Sequence, residues 1–67
     1  MTYQELRRRL RQLGIVVIRP GARHDLYGRP GTPRYTAIPR HRGEIPPGTL
    51  HHMLRDLDLT MDDLQQS

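Results

Sequence analysis

A chain of 67 residues can enclose only a thin hydrophobic core, because so short a sequence offers little buried apolar area to offset its conformational entropy. A single domain over residues 1–67 is the expectation, with residues 59–67 as a short C-terminal extension that is helical if Thr60 caps it. So small an interior leaves no room for an enclosed cofactor or metabolite cavity. No cofactor is therefore expected, and the natural substrate is a macromolecule worked on at a shallow surface site.

The chain has no cysteine, so neither a disulfide framework nor a thiolate metal site can staple it. Packing and oligomerisation must hold it together. The longest apolar run, Ile15 to Ile18, is far too short to span a bilayer, and no signal-peptide stretch opens the sequence. The expectation is a soluble, cytoplasmic protein with no membrane partner.

Basic side chains number eleven against seven carboxylates, giving a net charge of +4, and every one of the eleven is Arg. This excess favours a polyanion through counterion release, with nucleic acid as the first candidate. Arg suits bidentate contact with phosphate and stacking on bases, although an all-Arg count also follows from a GC-rich genome.

Thr2 and Glu5 have capping-box spacing, and Tyr3, Leu6, Leu10 and Leu13 form one apolar stripe, so a helix from about Tyr3 to Leu13 is expected, stopped by Gly14. Arg7, Arg8 and Arg11 project from its other side. Ile15-Val16-Val17-Ile18 is β-branched throughout and reads as a strand buried largely on both faces. Pro20-Gly21 breaks it. A second strand from about His24 to Tyr27 and a third from about Arg34 to Ile38, separated by the turn-rich stretch Gly28 to Pro33, complete an antiparallel meander. Pro47 fits a helix first turn, and Leu50, Met53, Leu54 and Leu57 give a helix from about Pro47 to Leu57. Thr60 and Asp63 predict a short helix around Met61 to Gln65 that is free to fray. The order α-β-β-β-α packs most simply as two helices on one face of a three-stranded antiparallel sheet. This is an α+β fold like the double-stranded RNA-binding domain.

His24 follows the turn at Pro20 to Arg23 and is the leading candidate for chemistry. Imidazoles exchange protons near neutrality, as transesterification of RNA by its own 2′-hydroxyl requires. Position alone leaves the bland alternative of a partly buried strand histidine open. His41, in the basic stretch Arg40-His41-Arg42, is a candidate general acid or phosphate contact, against the reading of a merely solvated loop. His51 and His52 diverge by about 100° on the second helix, which disfavours a shared metal ion, and both are expected at the surface. The acids Glu5, Asp25, Glu44, Asp56, Asp58, Asp62 and Asp63 show no spacing for two-metal cleavage, so no metal is expected.

Three segments together resemble the HicA family of ribonuclease toxins. They are Gly14-Ile15-Val16-Val17-Ile18-Arg19, then Gly21-Ala22-Arg23-His24-Asp25-Leu26-Tyr27, then Ile38-Pro39-Arg40-His41 leading to Glu44-Ile45-Pro46-Pro47-Gly48-Thr49-Leu50. The resemblance runs from about residue 3 to 59. It implies a dsRBD-like fold, mRNA cleavage with His24 as the catalytic histidine, and a HicB-type antitoxin as protein partner; with the scattered acids, the cleavage is expected to be metal-independent. Many relatives carry a serine where this chain has Ala22 or Arg23. Either Arg23 replaces that hydroxyl electrostatically, or activity is weak or turned to other RNA sequences.

Two other classes remain open on the residues alone. One is a non-catalytic RNA-binding module using Arg7, Arg8, Arg11, Arg40 and Arg42, with Arg23, on phosphates. The other is an interaction subunit of a DNA-bound complex, with its strands in a groove.

Overall fold

Residues 1–66 are described by the computed structural model. Helix α1 covers Tyr3–Gln12, with the Thr2 hydroxyl accepting from the Glu5 amide at 3.0 Å as the spacing predicts. Gly14 closes it in the left-handed region, at φ 82°, where a Cβ would be strained. Strands β1 (Val16–Arg19), β2 (His24–Gly28) and β3 (Tyr35–Pro39) follow, then α2 (Pro47–Asp56) and α3 (Met61–Gln65). The sheet is antiparallel in the order β1-β2-β3. This is the expected α+β meander, with helices packed on one of its faces.

Register fixes which side chains meet them. Tyr27 opposes Thr36, and Asp25 opposes Ile38. Tyr27, Thr36 and Ile38 are buried while Tyr35 and Ala37, which alternate with them, are exposed, the period-2 pattern of a sheet covered on one face. Onto that face come Tyr3, Leu6 and Leu10 of α1 and Leu50, Met53 and Leu54 of α2, forming one core cluster with Ile15, Ile45 and Leu57.

Strand β1 corrects an expectation. It is not buried on both faces: Val16, Val17 and Ile18 are between 37% and 45% exposed. β-Branching selects extended backbone but does not say where in the sheet the strand lies, and here it is an edge, with only the preceding Ile15 reaching the core. A β-bulge between Val17 and Arg19 shifts its pairing with β2, bending the strand just before the turn that carries His24.

Helix α3 is part of the core. Thr60 and Asp63 form a reciprocal capping box, Leu64 is fully buried, and the Arg9 guanidinium of α1 donates to the Leu64 carbonyl at 2.8 Å.

Candidate active site

The stretch from Gly21 to Arg23 turns tightly into β2 and leaves His24, the first residue of the strand, exposed at the rim of the sheet. The partly buried strand histidine allowed by position alone is not what forms. Gly21 has a steric reason to be glycine, since a Cβ there would collide with the backbone carbonyl of His24.

A network of hydrogen bonds sets the shape of this turn. Arg40 donates through Nε to Asp25 Oδ2 at 3.1 Å and through Nη2 to Asp25 Oδ1 at 2.6 Å and the Gly21 carbonyl at 2.7 Å. Its amide donates to the Arg23 carbonyl at 3.3 Å, and the Gly21 amide donates to Asp25 Oδ1 at 3.4 Å. The bidentate Arg–carboxylate pair fixes orientation as well as charge. Hydrogen bonding from Arg40 is the main cause that holds the Asp25 carboxyl below its ordinary range; it outweighs the opposing desolvation, and the Gly21 amide adds a lesser lowering.

The facing loop is fastened just as firmly. Arg7 donates to the carbonyls of Pro39 and His41, both at 3.0 Å. Tyr3 donates its amide to the Gly43 carbonyl at 3.0 Å, and its ring lies 5.7 Å from that of His41, tilted. The loop between β3 and α2 is therefore stitched to the start of α1.

Two shallow grooves meet at His24. One, of about 430 Å³, is lined by Ala22, Arg23, His24, Pro39, Arg40 and His41. The other, of about 340 Å³, is bounded by Thr36, Ala37 and Pro39 of β3 and by Thr49, His52 and Asp56 of α2, with His24 and Tyr3 closing it. A further hollow of about 300 Å³ beside Ile15, Arg29, Arg34 and Leu59 contains no imidazole, and so no group for proton transfer near neutrality.

The fold thus gathers His24, Arg23, Arg40 and His41, while Arg42 is exposed one residue further along the same loop. Arg8 and Arg11 lie apart, around a hollow with Thr2, Gln4 and Glu5. Arg8 is paired with Glu5, whose carboxyl is held low by hydrogen bonds from Arg8 first and Arg9 second. Arg7 and Arg40 spend donors on the fold itself, whereas the side chains of Arg23 and Arg42 make no hydrogen bond or ion pair among the described residues. His51 and His52 are at the surface as expected.

Sequence reading overlooked the structural duty of Asp25 and the linkage of His52 to Asp56, whose Nε2–Oδ2 separation is 3.5 Å. The second carried a legible signal, since the two are one helical turn apart. Among the described residues, no three of His, Cys, Asp and Glu converge as a metal site would need, and no helix is long and apolar enough to cross a membrane.

No curated protein matches the chain. The family described as HicA toxin of bacterial toxin-antitoxin matches residues 3–59, a span that takes in α1, the whole sheet, α2 and both grooves at His24. With most of its length so matched, this chain belongs to the HicA toxin family of bacterial toxin–antitoxin systems.

Proposed function

We propose that this HicA-family chain is a metal-independent endoribonuclease that cleaves mRNA in the cytoplasm, with His24 as general base, and that a HicB-type antitoxin silences it. The observation that carries this reading is the exposed imidazole of His24 at the junction of two open grooves, beside Arg23, Arg40 and His41. His24 removes the proton of an RNA 2′-hydroxyl, and the resulting oxygen attacks the adjacent phosphorus. Arg23 contacts the non-bridging phosphate oxygens in place of the serine found in many relatives, and His41 and Arg42 hold the neighbouring backbone.

Nothing in this scheme needs a small-molecule cofactor. The partner protein follows from family membership, and the basic groove gives it a reason to dock there: an inhibitor of complementary charge associates quickly and competes directly with RNA.

The test is incubation of a long single-stranded RNA with the protein and with His24→Ala, in EDTA. The variant should fold, since His24 is exposed. Expected are products ending in 2′,3′-cyclic phosphate from the unaltered protein, and a loss of about 10²- to 10⁴-fold in the variant. Intact RNA with salt-sensitive binding in both would instead favour a non-catalytic RNA-binding module.

A further inference from the structure

Cleavage by a 2′-hydroxyl involves two proton transfers, and His24 accounts for one. As the P–O2′ bond forms, the P–O5′ bond breaks and its electron pair goes to the 5′-oxygen, a poor leaving group unless a donor protonates it. Attacking and leaving oxygens are roughly in line through phosphorus, so base and acid must approach from different walls of a site.

The groove between β3 and α2 has such walls. His24 reaches it from β2, and His52 reaches it from α2. The His52 side chain is 73% exposed, with Nε2 3.5 Å from Asp56 Oδ2. The same Oδ2 accepts from the Thr36 hydroxyl at 3.1 Å, and Thr36 is buried in the sheet. A carboxylate anchored on a strand and presented to an imidazole one helical turn away orients that ring. It also leaves Nδ1 as the nitrogen available to a substrate. His41, by contrast, borders the other groove, lies against Tyr3 and has no carboxylate within ion-pair distance among the described residues.

We propose that His52 is the general acid that protonates the leaving 5′-oxygen, with Asp56 and Thr36 as its positioning residues. The proposal rests on the reading of His24 as the base. His24 takes the 2′-hydroxyl proton, the His52 imidazolium gives its proton to O5′, and the products are a 2′,3′-cyclic phosphate and a 5′-hydroxyl.

A synthetic oligoribonucleotide spanning a cleavage site mapped on long RNA separates the two roles. It is made with either the natural 5′-oxygen or a bridging 5′-sulfur, which leaves as thiolate without needing a proton. His52→Ala is expected to slow cleavage of the oxygen substrate by about 100-fold or more, yet to cleave the sulfur substrate within a few-fold of the unaltered protein. Asp56→Asn should give a smaller loss with the same rescue, and His24→Ala should be slow on both. Equal losses for His52→Ala on both substrates, or no loss on either, would overturn the assignment and leave the base untouched. Undiminished cleavage by His24→Ala would overturn the base and the acid together.

Discussion

Asp25 touches no groove at His24, yet the shape of that site depends on it. Its two oxygens take three hydrogen bonds from Arg40 and Gly21, binding the turn that precedes His24 to the end of β3. Because the folded carboxyl is held below its ordinary range, its stabilising effect is fully present above the unfolded value of about 3.9. It is lost as pH falls through the lower folded value. The melting temperature of Asp25→Asn should therefore lie below that of the unaltered protein by a constant margin from pH 7 to about 5. The margin should close only at pH below the ordinary aspartate range, where the native side chain is itself neutral. Thermal melts across a pH series check this, and a margin that persisted at full protonation would mean that the carboxylate charge is not what holds the turn. His24 was a candidate in the sequence because of its place after a glycine turn together with the resemblance of the surrounding motif to the HicA family. Asp25 was not, because its partner Arg40 is fifteen residues away and nothing in local spacing pairs them.

At the scale of elements, α3 has the largest consequence for its length. Its capping box was legible, since both partners lie within one turn. What no local pattern could show is that Leu64 is buried against the apolar side of α1. Leu64→Ala removes a fully buried side chain and should cost about 2–5 kcal/mol. In a domain this short that is a fall of more than about 10 °C in melting temperature. Gln65→Ala, on the exposed side of the same helix, should melt within a degree or two of the unaltered protein. Equal and small effects from both would mean that α3 is not packed on α1 in solution. Strand β1 makes the complementary point: four consecutive β-branched residues specified an extended segment correctly, and its place at the sheet edge, with Val16 to Ile18 exposed, came from how the meander is laid down.

Over the whole molecule, the net charge of +4 is unevenly available. Arg7 and Arg40 bond to the fold, and Arg8 and Arg9 share Glu5, whereas Arg23, in the groove at His24, and Arg42, further along the His41 loop, have no such partners among the described residues. RNA affinity should fall steeply with salt, and each phosphate contact on a single strand contributes about 0.7 to the log–log slope. Replacing Arg23 and Arg42 together by Ala should lower that slope by about 1.4, read from binding titrations with the His24→Ala protein to avoid cleavage. Replacing Arg8 and Arg11 should change it little. A larger change from the helix pair would put the RNA on the outer side of α1 instead.

The sequence by itself determined the elements, their order, the one-sided apolar stripes that build the core, and the family. Each of these is written in spacings of a few residues or in the order of short motifs, and local backbone preference reads those directly. Tertiary structure alone decided which arginines remain available to a substrate, that β1 is an edge, that Leu64 completes the core, and that His52 with Asp56 shares a groove with His24. Those facts depend on pairing across the sheet and on the docking of helices far apart in the chain. Register and packing bring such residues within a few ångströms of one another, and no local periodicity encodes that distance.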